Sequence, residues 1–212
     1  MMKWRVVFCV VMGVILVFST AVADDYNPPD WRGDLGTTYA KWSFDDGTNP
    51  SGPETGWVNP FGAPTLEVTG QLPLTEWKAD DLGHQGVWKF EDYIQIEIAN
   101  YDIDNPIKEI WIQVTYQADS IGQGLPLEIS TNPGLTSIEL VDQEAVDAFY
   151  YSETYSVILS PNPSFETIFI EPRNCTAYVD QVVIDTICTV PEPASVCLLG
   201  LGGLALLRKR RA

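Results

Sequence analysis

Histidine, the side chain used most often in acid–base catalysis, is scarce in this chain. There is a single histidine, His84, in the stretch DLGHQG. It is therefore the only histidine base available to a hydrolytic triad, and zinc sites built on clusters of histidines are excluded. Acidic residues number 29, so carboxylate pairs arise by chance, and no spacing singles out a pair for glycoside hydrolysis. The sequence therefore favours a non-catalytic protein, with His84 in a surface loop.

Carboxylates at two places have the character of calcium ligands. Asp45 and Asp46 end one strand-like stretch, and Asp180 shares the alternation parity of Val182 and Ile184 in another. That parity points Asp180 toward an apolar face, where a carboxylate needs a partner or a metal. Calcium takes about six to eight oxygen ligands, often from loops, so a structural calcium ion at Asp45, Asp46 and Asp180 is one interpretation. The other is that Asp180 accepts hydrogen bonds from backbone N–H groups at the sheet edge.

Tryptophans offer a second binding chemistry, because flat aromatic rings can stack on the faces of sugars. Trp111 alternates with the apolar residues of its strand-like stretch and is expected to face outward. Trp57 and Trp77 lie in loop-like sequence, so these three are the candidate sugar contacts. The alternative is that each packs against strands, as we expect for Trp42 and Trp88 in the core.

Two cysteines, Cys175 and Cys188, lie outside the apolar termini. If the protein is exported, a disulfide between them can persist, since such bonds survive outside the cytoplasm. It would constrain the unfolded chain by about 3 kcal/mol in the entropic description. Two buried thiols are the alternative.

The elements that must position these residues have the periodicity of β-strands. In YIQIEIA (93–99), isoleucine alternates with polar residues. Only QEAVDAF (143–149) indicates a helical turn or two. The pattern predicts an all-β fold, an antiparallel two-sheet sandwich that is jelly-roll-like, with an immunoglobulin-like sandwich as second choice. The further predicted strands are 108–117, 155–160, 166–171 and 177–185, with weaker candidates at 39–44, 65–69, 85–90 and 137–141.

Two short stretches carry a resemblance to jelly-roll carbohydrate-binding modules. WSFDDGT (42–48) resembles their first strand, and AYVDQVVI (177–184) resembles their last strand. In several such families, acidic residues at these places bind a structural calcium ion. The resemblance implies the same role for Asp45, Asp46 and Asp180.

The N-terminus has the features of a secretory signal peptide. Lys3 and Arg5 precede an apolar run at 6–18, and Ala-Val-Ala at 21–23 supplies the small residues that a signal peptidase reads. A membrane anchor that is retained is the alternative. The predicted organisation is a signal peptide at 1–23, an N-terminal extension at 24–38, a β-sandwich domain at 39–189 and a C-terminal tail at 190–212.

The tail joins three parts in a fixed order. Pro191, Glu192 and Pro193 are followed by an apolar segment at 194–207, and the chain ends with a basic cluster. As a helix the apolar segment would be about 21 Å long, which is shorter than the roughly 30 Å hydrocarbon core of a bilayer. The cluster would stop transfer and stay in the cytoplasm, which places the sandwich on the far side of the inner membrane. The stop-transfer residues are Arg208, Lys209, Arg210 and Arg211.

This order of parts resembles the PEP-CTERM sorting signal of Gram-negative bacteria. The resemblance implies recognition by an exosortase, which would cut near Pro191–Pro193 and then release or re-attach the protein. A Pro-rich linker to a permanent anchor is the alternative.

Charge limits the partners of the sandwich. Between residues 24 and 190 there are six basic and 28 acidic residues, a formal charge of −22. Nucleic acid is excluded as a partner, because its binding needs clustered Lys and Arg. The sequence thus predicts an exported, non-catalytic surface or extracellular-matrix protein associated with exopolysaccharide. A carbohydrate-binding module or lectin is the alternative.

Overall fold

The computed structural model describes residues 25–100, 107–118, 127–134, 136–173 and 175–189. The predicted signal peptide at 1–23 and the predicted tail at 190–212 lie outside these residues. Within the described ranges the chain forms strands and turns without a helix. This part of the chain accordingly contains no helix with the length and apolarity needed to cross a membrane.

Eleven strands are described, and most coincide with the alternating stretches of the sequence. They are β1 (Thr37–Trp42), β2 (Thr65–Val68), β3 (Glu76–Asp81), β4 (His84–Phe90), β5 (Ile94–Ala99), β6 (Ile107–Ala118), β7 (Glu128–Asn132), β8 (Ser137–Ala145), β9 (Tyr151–Leu159), β10 (Phe165–Glu171) and β11 (Ala177–Thr189).

The strands form two antiparallel sheets that face each other. The larger sheet has the order β3-β4-β11-β6-β9-β8, and β1 also pairs with β11; the smaller has the order β2-β5-β10-β7. The chain passes repeatedly from one sheet to the other, as it does in jelly-roll folds. The predicted all-β, two-sheet antiparallel sandwich is confirmed.

The core lies between the sheets and is built from the alternating apolar residues. Ile94, Ile96 and Ile98 of β5 are almost completely buried, and each buried isoleucine contributes roughly 1.5–3 kcal/mol to folding. Trp42 and Trp88 belong to the same cluster, so their predicted core placement is confirmed.

One local prediction is wrong. The stretch 143–149 is not helical, because residues up to Ala145 extend β8 and the next five turn into β9. Gln143 and Glu144 pair in register with Glu153 and Ser152, so β9 supplies hydrogen bonds that a helical turn would have to replace. β3 and β7 lie outside the stretches predicted as strands.

The sandwich has two ends, which we name after the two ends of β11. At the Thr189 end, Thr189 pairs with Ile107 and Phe165 pairs with Ala99. At the Ala177 end, Ala177 pairs with Phe90 and with Ala118. β11 runs the whole length of the larger sheet, so Thr189 lies at one end of that sheet.

Candidate functional site

Asp45 and Asp46 follow β1 and line an open cleft of about 150 Å³. Phe44, just before them, adopts a φ of 55°, a left-handed conformation that turns the chain away from the strand. Hydrogen bonds from the hydroxyl and backbone N–H of Thr48 lower the pKa of Asp46. Glu54 also lines the cleft, which places three carboxylates around one opening.

Asp180 occupies a bulge rather than a regular position in β11. Val179 pairs with Tyr116 and Gln181 with Thr115, so Asp180 is an extra residue between consecutive pairs. The residues on either side of the bulge, Val179 and Val182, both belong to the core. The expectation from parity that Asp180 points toward the apolar face is therefore wrong, because the bulge shifts the alternation by one residue.

The bulge brings Asp180 to His84. His84 is the first residue of β4, and its Nδ1 lies 3.0 Å from Oδ2 of Asp180 while its Nε2 lies 3.1 Å from Oδ2 of Asp147. Its ring stacks on Tyr150 with centroids 3.7 Å apart, and the Tyr150 hydroxyl donates to Asp81. The prediction of a surface-loop histidine is wrong. This His84 cluster joins β11, the β3–β4 hairpin and the β8–β9 turn.

The electrostatics of the cluster favour a charged histidine. Burial lowers the pKa of His84, but the bonds to Asp180 and Asp147 outweigh it, and the net pKa is raised. Two ionised carboxylates can both accept from the ring only when both nitrogens carry hydrogen. Burial raises the pKa of Asp180, whereas backbone N–H groups of Phe149 and Tyr150 help to lower the pKa of Asp147.

The predicted calcium ligands are divided between these two places. Asp45 and Asp46 line the cleft after β1, and the lining of that cleft does not include Asp180. Over the described ranges, no three His, Cys, Asp or Glu side chains are grouped so that they could hold a metal ion. Calcium at Asp45, Asp46 and Asp180 stays a prediction.

The candidate sugar contacts Trp57, Trp77 and Trp111 lie in different parts of the fold. Trp57 is 37% exposed in the connection between β1 and β2. Trp77 packs against the core and donates from Nε1 to the carbonyl oxygen of Phe44 at 3.0 Å. Trp111 donates from Nε1 to the carbonyl oxygen of Asn27 at 2.8 Å. A sugar-binding role for the three stays a prediction.

The segment before β1 covers the outer face of the larger sheet. Arg32 forms a two-pronged ion pair with the buried Asp185 of β11, at 2.6 and 2.5 Å, and a second pair with Asp25. Gln113 of β6 accepts from the backbone N–H of Asn27 and donates to Asp25. Sequence reasoning missed this contact. The available signal was Asp185, a charged residue on the outward-facing side of the otherwise apolar β11. A carboxylate that becomes buried there needs a partner from another segment.

The predicted disulfide between Cys175 and Cys188 is wrong. Both side chains are thiols. They lie near opposite ends of β11, and about 13 residues of extended chain at 3.3 Å each separate them by roughly 40 Å. A disulfide needs Cα atoms within about 7 Å. The extended strand between the two cysteines therefore prevents the bridge.

A buried ion pair joins the two sheets at the Thr189 end. Lys108 of β6 donates to Glu166 of β10, and both side chains have no exposed surface. Asn100 accepts from Lys108 and donates to Glu166 and to the carbonyl oxygen of Pro163. This network satisfies two buried charges directly beneath the point where β11 ends.

The C-terminal segment matches a known sorting signal. A family model described as the PEP-CTERM protein-sorting motif matches residues 189–211. The match confirms the predicted resemblance and shows an exported protein whose sorting depends on an exosortase. No curated protein and no solved structure gives a significant match to the chain. The first matched residue, Thr189, is also the last residue of β11.

Proposed function

We propose that this PEP-CTERM protein is made as an inner-membrane-anchored precursor with its sandwich outside the cytoplasm. The observation that carries the proposal is the sorting motif, which follows β11 without a linker. The signal peptide at 1–23 begins export, and the apolar segment at 194–207 halts it. Arg208–Arg211 remain in the cytoplasm, because basic flanks favour that side.

The Pro191–Pro193 triplet provides the segment that the exosortase cuts. Each proline fixes φ and lacks a backbone N–H, so a helix in the membrane cannot propagate back through the triplet. Glu192 is the only acidic residue in 190–212 and supplies a charge for recognition. An extended, singly charged segment next to the membrane suits a membrane-embedded protease.

The sandwich is a non-catalytic surface or extracellular-matrix protein associated with exopolysaccharide. The formal charge of −22 between residues 24 and 190 keeps the released protein soluble. Its carboxylates can also share divalent cations with an acidic polysaccharide.

A carbohydrate-binding module or lectin is the second candidate. Trp57 retains an exposed indole, and the open cleft beside Asp45 and Asp46 offers carboxylates near buried aromatic rings. A sugar site combines such an aromatic surface with a few polar groups.

Deletion of Pro191–Pro193 tests the anchored precursor. We expect the variant to remain in the inner-membrane fraction, whereas the wild-type protein leaves it. The Pro28→Ala variant is the control, since it changes an exposed proline of the folded part. Unchanged release of the deletion variant would refute exosortase-dependent processing at this segment.

A glycan array with the naturally released protein tests the two functions of the sandwich. Binding to one defined group of sugars, lost in Trp57→Ala and retained in Trp111→Phe, would favour the lectin. No binding across diverse glycans would exclude the lectin. Calcium-dependent co-sedimentation with exopolysaccharide is the result expected of the matrix protein.

A further inference from the structure

The sorting tail follows directly on a residue that is held in the larger sheet. β11 is held by β1, β4 and β6, and its pairing with β6 continues to Thr189 and Ile107. Only residues 190–193 separate Thr189 from the apolar segment at 194–207. Fully extended, five residue steps reach about 17 Å.

That distance limits how the sandwich can be oriented in the precursor. The roughly 165 residues from 25 to 189 form a domain with a radius of gyration of about 15 Å and a diameter of about 40 Å. The lipid headgroups take up about 5–8 Å of the tether. Because the remaining tether is shorter than the radius of the domain, the sandwich cannot turn over. The Thr189 end must face the bilayer.

Three connections at the Thr189 end lack the acidic residues that are common elsewhere in this protein. The connections 59–64, 133–136 and 160–164 meet at this end and contain no charged residue. At the Ala177 end, the connections at 91–93, 146–150 and 172–176 each carry charge, and the connection at 69–75 does not.

Apolar side chains project from the same end. Phe61 is 42% exposed and Phe165 is 45% exposed. Both lie beside Ala99, since Phe165 pairs with it and a Cβ on Gly62 would lie 3.5 Å from its side chain. Leu35 is fully exposed two residues before Thr37, which pairs with Ile187 near the end of β11.

The charged residues nearest to this end determine which lipid headgroup charge the surface can approach. Lys108 and Glu166 are withdrawn into the core and neutralise each other. Asp34 is exposed beside Leu35, and Asp102 and Asp104 occur in the connection 100–106, outside the described residues. These carboxylates disfavour an anionic surface and favour a zwitterionic one.

We propose that the Thr189 end is a membrane-docking surface, on which Leu35, Phe61 and Phe165 insert into a zwitterionic lipid interface while the tail anchors the precursor. The proposal rests on the anchored precursor described above. Apolar side chains at the boundary between headgroups and acyl chains bind by buried area. Docking holds the Pro191–Pro193 segment at a fixed distance from the bilayer surface, where the exosortase can bind it.

The docking is reversible because it depends on the tether. A short tether gives an effective concentration in the millimolar range or above, so a weak contact is populated while the tail is present. Once the tail is cut, the same weak contact cannot hold a freely diffusing, strongly acidic domain. The cleavage therefore both detaches and undocks the protein.

Hydrogen–deuterium exchange of the full chain in phosphatidylcholine nanodiscs tests the proposal. We expect exchange in 58–64 and 160–166 to slow at least threefold relative to the same protein after proteolytic removal of the tail. Exchange in 69–75 and 146–150 should not change. The F61S/F165S variant should lose the protection, and the L72S/L74S variant, which removes two exposed leucines near the Ala177 end, should keep it.

The other possible results distinguish a failure of the docking from a failure of the anchored precursor. A chain that integrates into the discs but exchanges equally at both ends overturns the docking. Protection that appears only with exosortase in the disc also overturns it, because the surface then binds the enzyme. Failure to integrate refutes the anchored precursor, and the docking with it. Replacing a third of the lipid with phosphatidylglycerol should reduce the protection, and an increase would contradict the zwitterionic preference.

Discussion

Each end of the sandwich contains a cluster of charged residues, and the two clusters differ in burial. At the Thr189 end, Lys108 and Glu166 are completely buried and the surrounding connections at 59–64, 133–136 and 160–164 are uncharged. Toward the Ala177 end, His84 and its carboxylates form a cluster that solvent still reaches. The two clusters therefore differ in how far water reaches their charged groups.

Burial also determines how the two groups respond to pH. Burial lowers the pKa of Lys108 and raises the pKa of Glu166, and their mutual contact opposes both shifts. His84 is only partly buried, so its two carboxylates outweigh desolvation and raise its pKa. The buried pair is thus a structural feature, while His84 keeps a raised pKa because its two carboxylates stabilise the charged ring.

The largest effect is expected when the buried pair is broken. Glu166→Ala leaves Lys108 without its countercharge in the core, and we expect a loss of about 3–5 kcal/mol in the free energy of unfolding. The double variant Lys108→Met/Glu166→Leu removes both charges and should recover most of the loss, because apolar replacement of a buried pair is often neutral. Urea denaturation of the three proteins measures this. A double variant less stable than Glu166→Ala would show that the pair itself stabilises the fold.

A smaller effect is expected at the outer face of the larger sheet. Arg32→Gln leaves the buried Asp185 without its ion-pair partner and should cost about 2–4 kcal/mol at pH 8. Arg173→Gln is the matched control, because its pair with Glu128 is more than half exposed and should cost under about 1 kcal/mol.

The pH dependence of the Arg32→Gln loss sharpens this prediction. Burial raises the pKa of Asp185 from 3.8 to about 6, with Arg32 opposing the shift. A carboxyl whose folded pKa is raised contributes stability that is complete below its unfolded pKa and lost as the pH rises through its folded pKa. Without Arg32 the carboxyl is protonated at pH 5, so the variant should lose less there than at pH 8. An equal loss at both pH values would contradict this account.

The His84 cluster should give a smaller, pH-dependent effect. A histidine with a raised folded pKa contributes stability that is complete below its unfolded pKa, about 6.5, and is lost as the pH rises through its folded pKa. His84→Gln should therefore destabilise by about 1–2 kcal/mol at pH 6 and by less at pH 9. The difference in melting temperature between wild type and variant measures it. A constant difference over this range would mean that His84 acts by packing alone on Tyr150.

The sequence predicted the parts of the fold that depend on regular alternation. The isoleucines of β5 and β6 identify both strands, because a half-buried strand repeats every two residues. β3 was not predicted, because EWKADD has no such alternation. It forms a strand because its backbone pairs with β4. The prediction of a helical turn at 143–149 was wrong, because pairing with β9 overrides the local helical preference of this stretch.

The polar contacts could not be predicted in the same way. In the sequence of β11, inward and outward positions alternate regularly. Only the structure reveals the bulge at Asp180, which shifts this alternation by one residue. The pairing of Lys108 with Glu166 joins residues 58 positions apart, so no local pattern selects it. The sorting motif was predictable because a separate enzyme reads it as a linear segment, whereas the His84 cluster exists only in the folded chain.

The smallest effect concerns the two cysteines, which mark the two ends of β11. Because the strand holds Cys175 and Cys188 roughly 40 Å apart, we expect a reducing agent to leave the melting temperature of the exported protein unchanged. Cys188→Ser should cost about 1 kcal/mol or less, since it replaces a thiol that donates weakly to Asn162 at 3.7 Å. Mass spectrometry after alkylation without reduction should find both thiols modified. A mass two units lower and resistance to alkylation would reveal a disulfide and contradict the pairing of β11 with β6.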